Sequence, residues 1–180
     1  MKKKIGGKVI ELIQGDIVRQ EADAIVNAAN PSLLGVGGVD GAIHRAGGPS
    51  IHKECKAIRN ARGQCLPGEA VFTSAGKLPS KYVIHVVGPV WQGGNADEAK
   101  LLLSCYRNAL RVAMELGLRT IAFPSISTGA YGYPVDQAAA TALLAVSSFL
   151  KDEPSAVKTV RFVLHDSVTL ITYAGALDSL

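Results

Sequence analysis

Short apolar runs alternate with longer amphipathic ones along the chain. Strands are predicted at Val9–Ile13, Ala24–Asn27, Ala70–Ser74, Tyr82–Val87, Thr120–Phe123 and Thr159–Leu164. Several of these runs are continuously apolar, the pattern of strands covered on both faces. Helices are predicted near Asp40–Ala46, Pro49–Ala61, Ala96–Leu116, Val135–Leu150 and Val168–Leu177. The clearest is Ala96–Leu116. There Leu101, Leu102, Cys105, Leu110, Val112, Ala113 and Leu116 form an apolar stripe, and Gly117 supplies the stop. Pro134 stands where a first-turn proline would open the next helix. The alternation predicts an α/β fold, a three-layer α/β/α sandwich with a central mixed sheet, and residues 1–180 are expected to form one domain.

Composition narrows the class. With 180 residues, 48% hydrophobic and 19% charged, the chain can bury a sizeable core and is not broadly disordered. No run of 18 apolar residues occurs, so no membrane span is expected. The basic start, Met1–Lys4, is followed by Gly6, Gly7, Lys8 and Glu11 rather than an apolar signal-peptide core, and a cytoplasmic location is expected. Cys55, Cys65 and Cys105 form no C-x-x-C unit. Neither a zinc site nor a disulfide framework is indicated, and structural free thiols are expected. Three of the lysines behind the net charge of +4 lie in the first four residues and read as a solvated tail. No aromatic–basic interleaving supports a nucleic-acid partner. A monomer is expected.

The chemistry concentrates in two glycine-rich loops, each following a strand and entering a helix. One is Asn30-Pro31-Ser32-Leu33-Leu34-Gly35-Val36-Gly37-Gly38-Val39-Asp40-Gly41; the other is Pro124-Ser125-Ile126-Ser127-Thr128-Gly129-Ala130-Tyr131-Gly132-Tyr133-Pro134. Such loops let backbone N–H groups converge on an anion, and the following helix adds its positive dipole end. Two of them suggest a ligand with a diphosphate at its centre. Ligands of open α/β sheets bind beyond the carboxyl ends of strands, which puts both loops on one rim. Gly35-Val36-Gly37-Gly38-Val39-Asp40 begins as a dinucleotide fingerprint but ends in Asp40 where glycine belongs, and no Walker A pattern is present.

Individual residues have two readings each. Asp40 is either an N-cap or a carboxylate placed to orient or deprotonate water. Asn27 and Asn30 either order the loop or, for Asn30, hydrogen-bond a sugar hydroxyl. Asp16 ends the first strand as a turn or cap residue, or accepts from an amino group on a base. Ser127, Thr128 and Gly129 offer hydroxyls and N–H groups to phosphate oxygens, and Tyr131 either covers a ribose or is a surface turn aromatic. His44, four residues after Asp40, makes a possible two-ligand metal pair, but no third ligand is evident and no metal is expected. His85, inside an apolar strand, is expected to donate to a core carbonyl or point to solvent.

Taken together, Gly15-Asp16-Ile17, Ala24–Asn30, Gly37–Arg45, Gly88-Pro89-Val90-Trp91 and Phe123–Pro134 resemble the macrodomain family, within it the bacterial MacroD-type ADP-ribose hydrolases. The resemblance implies an α/β/α cleft for ADP-ribose and needs no cofactor. It implies that Asp16 binds the adenine amino group beside Ile17. Gly37, Gly38 and Val39, with Ser127, Thr128, Gly129, Ala130 and Tyr131 opposite, would embrace the diphosphate and distal ribose. Asn30 would contact that ribose, and Asp40 would orient or activate water. The implied reactions are release of ADP-ribose from acidic side chains of mono-ADP-ribosylated proteins and deacetylation of O-acetyl-ADP-ribose. The alternative is a non-catalytic ADP-ribose reader, against which Asn30 and Gly38-Val39-Asp40 argue. An NAD-dependent oxidoreductase is disfavoured by the missing third glycine. Four positions depart from the family pattern. Val36 replaces a usual glycine, Gly47 a common alanine, and Ala130 a branched aliphatic residue. His165 stands where an aromatic residue meets adenine, so weaker stacking is expected there.

Overall fold

The computed structural model describes residues 1–180. Its strands are β1 (Lys2–Ile5), β2 (Lys8–Gln14), β3 (Ala24–Ala29), β4 (Ala70–Ser74), β5 (Tyr82–Val87), β6 (Thr120–Phe123) and β7 (Thr159–Leu164). Its helices are α1 (Gly38–Gly47), α2 (Pro49–Arg62), α3 (Glu98–Glu115), α4 (Val135–Asp152) and α5 (Ser167–Asp178). All six predicted strands and all five predicted helices are present. The exception to the sequence reading is β1. Lys2–Lys4 form an edge strand rather than a solvated tail, paired antiparallel to β2. A two-residue turn joins them, with Gly6 and Gly7 at φ of 55° and 81°. Both angles belong to the left-handed region that a type I′ hairpin turn requires. Lysines suit an edge strand because they discourage pairing with other chains.

The sheet runs in the order β1-β2-β7-β6-β3-β5-β4. The five inner strands are mutually parallel, and β1 and β4 close the edges in antiparallel fashion. Because a strand's side chains alternate between faces, the inner strands supply two cores. On one face Val26, Ile84, Phe123 and Phe162 meet α3, α4 and α5, through residues such as Leu102, Tyr106, Leu143 and Tyr173. On the other, Ile25, Val83 and Val87 meet the shorter layer of α1 and α2 through Ile43, Ile51 and Cys55. Each fully buried large aliphatic or Phe side chain stabilises by about 1.5–3 kcal/mol. The result is the three-layer sandwich with a mixed sheet that the alternation predicts. Parallel register also brings the carboxyl ends of β2, β7, β6, β3 and β5 to one rim.

Candidate functional site

A cavity of about 320 Å³ opens on that rim. Its walls are Ala28, Ala29 and Asn30 at the end of β3, Val36 to Asp40 at the start of α1, Gly88 after β5, and Ser125–Ser127 with Gly129–Tyr131 after β6. The two loops singled out from sequence therefore face one space. Gly88 is needed by close approach: a Cβ there would collide with Ser127 Oγ and Ile126 Cγ2. Sequence reasoning assigned Gly88 no role, although a glycine directly behind a strand's carboxyl end was a usable signal.

Both loops present unused donors. The N–H groups of Gly37, Gly38, Val39 and Asp40 have no bond inside the protein, and intrahelical bonding starts with Gly41 to the Gly37 carbonyl at 2.9 Å. These are the free donors of a helix N-terminus. In the second loop, none of the N–H groups from Ser127 to Tyr131 is bonded internally; the loop is closed by Gly132 to Gly129 O (3.0 Å) and Tyr133 to Ser127 O (2.9 Å). Thr128 does not line the cavity. Its hydroxyl donates at 2.8 Å to Ser125 Oγ and so braces the loop from inside.

Asp40 is not an N-cap. Gly37 occupies that position, and Asp40 is the third residue of α1, within its first turn. It is 4% exposed, reachable from the cavity and shielded from bulk water. Its Oδ2 accepts the Val36 N–H at 3.1 Å, and its Oδ1 accepts from Asn27 Nδ2 at 2.7 Å. His44 Nε2 lies 3.4 Å from Oδ1. Burial pushes the Asp40 carboxyl up, but His44, Asn27 and Val36 outweigh it and hold it below its ordinary value. Asp40 is therefore ionised before anything binds. An anion bound in the cavity would therefore act on a carboxyl that its neighbours have already lowered. Val36 donates through its backbone and leaves its side chain 65% exposed at the mouth of the cavity.

Asn27 is the residue the sequence reading undervalued. It does not merely order the loop: fully buried, it sits between Asp40 and His85. His85 neither meets a core carbonyl nor reaches solvent; its Nε2 lies 2.9 Å from Thr73 Oγ1. Asn30 does order its loop, with Oδ1 accepting from Ser32 Oγ at 2.8 Å. Its Nδ2 makes no bond within the protein and remains a donor at the rim.

Asp16, Ile17 and His165 lie outside the cavity, on the adjoining rim above β2 and β7. The two segments are tied by the Gly15 N–H to the Leu164 carbonyl, 2.9 Å. Asp16 caps a short 3-10 turn, Ile17–Arg19, accepting from Val18 N at 3.1 Å through Oδ1. His165 is exposed and lies 2.9 Å from Asp166. Gly47, the last residue of α1, is buried against Ile51. All three cysteines are buried and free.

His44, Cys55 and His85 bring metal-ligand atoms within 4.8 Å of one another. Burial drives the Cys55 thiol up to about 12, and the two His85 nitrogens face Asn27 Nδ2 at 3.0 Å and Thr73 Oγ1 at 2.9 Å. No helix is long and apolar enough to cross a membrane.

The macro domain family model matches residues 26–142. An O-acetyl-ADP-ribose deacetylase from Enterobacter sp. is 56% identical over 168 residues, covering 93% of either chain. The Oceanobacillus iheyensis macrodomain, solved with ADP, superposes with a TM-score of 0.95 at 44% identity, over 99% of this chain and 95% of that one. The Trypanosoma brucei macrodomain in complex with ADP-ribose has a TM-score of 0.85 at 39% identity, over 93% of this chain and 68% of that one.

Proposed function

The chain belongs to the macro domain family, and from that premise we propose that it binds ADP-ribose and hydrolyses esters on its distal ribose. The substrates are O-acetyl-ADP-ribose and proteins mono-ADP-ribosylated on acidic side chains. The observation that carries this reading is the convergence of two sets of unbonded backbone N–H groups on a cavity whose wall contains an ionised carboxylate. Backbone donors and a helix N-terminus hold a diphosphate without a metal. The cavity has room for the diphosphate and distal ribose, and the adenosine end extends along the rim. There Asp16 accepts from the adenine amino group beside Ile17, and His165 lies against the ring. Asn30 Nδ2 donates to a hydroxyl of the distal ribose, which Tyr131 covers.

In the reaction, Asp40 accepts a hydrogen bond from water and receives its proton as the water oxygen attacks the ester carbonyl carbon. The bond from that carbon to the ribose oxygen then breaks, the ribose oxygen takes the proton held by Asp40, and ADP-ribose and a free carboxylic acid leave with Asp40 ionised again. A carboxylate of lowered pKa is a weak base, so much of its contribution is aim. Binding of the diphosphate strengthens it as a base by opposing that lowering.

The test is release of ADP-ribose from a glutamate-modified protein in the presence of a chelator, comparing wild type with Asp40→Ala. The reading expects rapid release by wild type and a loss of about 10²-fold or more in the variant. Tight ADP-ribose binding with no release by wild type, from either the protein or the acetyl ester, would make the chain a reader.

A further inference from the structure

His85 does not touch the cavity, yet its neighbours determine its state bond by bond. Asn27 and His85 are partners in the parallel β3–β5 register. Strand alternation turns both toward α1 and α2, on the face that holds Ile25 and Val83. The Asn27 amide has two protons to give. One goes to Asp40 Oδ1 at 2.7 Å, and an ionised carboxylate can only accept. The other points at His85 Nδ1, 3.0 Å away, so that nitrogen carries a lone pair. On the far side of the ring Nε2 faces Thr73 Oγ1 at 2.9 Å. The Thr73 proton is already committed to the Ser74 carbonyl at 2.8 Å, so Nε2 carries the proton. Constraints entering from opposite ends agree on one neutral tautomer.

We propose that His85 is a positioning residue for the hydrolysis: backed by Thr73, its Nδ1 holds the Asn27 amide with NH₂ toward Asp40, and so aims the carboxylate that meets the water. This rests on the hydrolase reading and deepens it. Without an acceptor at Nδ1, one Asn27 N–H is buried with no partner, and the amide is no longer held in place. Asp40 then loses a donor that both orients it and favours its ionised form. Burial, with His44 in support and Asp40 opposing, pushes the His85 pKa down to about 3. The imidazole therefore stays neutral, and the bond chain keeps its polarity, at pH values above that. The titratable groups around the ring are Asp40 and His44 from α1 and Cys55 from α2, whose Sγ is 3.8 Å from Nε2. Glu54 acts on Cys55 from the same helix.

The experiment compares wild type, His85→Leu, His85→Asn and Thr73→Val in the whole chain. It reads the Kd for ADP-ribose, kcat and KM with O-acetyl-ADP-ribose, and the Asp40 carboxyl titration by NMR. In His85→Leu, Kd and KM stay within about twofold while kcat falls roughly 10- to 100-fold, the scale of a misaimed reacting group. The Asp40 midpoint moves up. In His85→Asn, where Oδ1 replaces Nδ1 as acceptor, most of kcat and the low midpoint return. Thr73→Val, which leaves the tautomer unbacked, shifts both in the same direction by less, and it carries the decision if His85→Leu does not fold. Unchanged kcat and midpoint in His85→Leu would overturn the proposal, as would equal losses in the Leu and Asn variants with an unmoved midpoint. If wild type releases no acetate, the hydrolase reading fails. The Asp40 midpoint then decides separately whether His85 positions the carboxylate.

Discussion

Asp40 combines burial with ionisation, and the balance is set by donors that cost little to arrange. The Val36 N–H reaches it because the loop turns back just before α1, and Asn27 reaches it from the neighbouring strand. The sign of the resulting pH dependence follows. The free-enzyme carboxyl lies below its ordinary value of 3.8, so its ionised form, and the stability linked to it, persists above that value and is lost as pH falls through the lowered pKa. On the proposed function, a bound diphosphate would raise the same pKa. Profiles of kcat/KM, which report the free enzyme, should therefore stay flat down into the ordinary carboxylate range, while the acidic limb of kcat lies at higher pH. A kcat limb at or below that of kcat/KM would contradict this assignment. At this scale the sequence displayed Asp40 and Asn30 through the loops that carry them. It did not display the partnership of Asn27 with His85. Period-two alternation puts Asn27 on one face with Ile25 and His85 on one face with Val83, but only the β3–β5 register makes those faces the same.

The second glycine loop is held from outside by the segment between β5 and α3. Trp91 N–H donates to the Tyr131 carbonyl at 2.9 Å, and its ring packs on Tyr133 with centroids 4.7 Å apart. Glu98, in the first turn of α3, anchors that segment. Its carboxylate accepts from Gln92 and Gly94 at 2.8 Å each and from Ala96 at 2.6 Å. Burial pushes its pKa up, yet these N–H groups bring it down to about 2. The stabilisation is thus complete above its ordinary value of 4.5 and fades as pH falls toward 2. Glu98→Gln should weaken ADP-ribose binding several-fold with little change in kcat. It should also lower the urea midpoint by an amount that narrows as pH falls from 4.5 toward 2, as unfolding curves across that range would show. A constant gap would mean that the carboxylate charge does not hold the segment. Apolar runs located six strands and five helices to within a few residues. The β1 edge was hidden because Lys2–Lys4 has no apolar run to detect, and its pairing depends on the Gly6-Gly7 turn.

At the level of the whole molecule, the parallel register of five inner strands is what makes a site from distant segments. It puts Asp16, Asn30, Gly88, Ser127 and His165 on one rim although they are spread over most of the chain. The class of fold was readable from alternating elements, and the meeting of two donor-rich loops on one rim from their glycines and their places behind strands. Strand order was not readable, because a continuous apolar strand carries no record of its neighbours. The proposed function divides the labour between backbone N–H groups that would hold a diphosphate and one carboxylate that would face the ester. That division is tested most directly by measuring ADP-ribose affinity and acetate release from O-acetyl-ADP-ribose side by side in wild type and Asp40→Asn. The account predicts a Kd within a few-fold of wild type and release slowed by about 10²-fold or more. Release at the wild-type rate by the variant would contradict it.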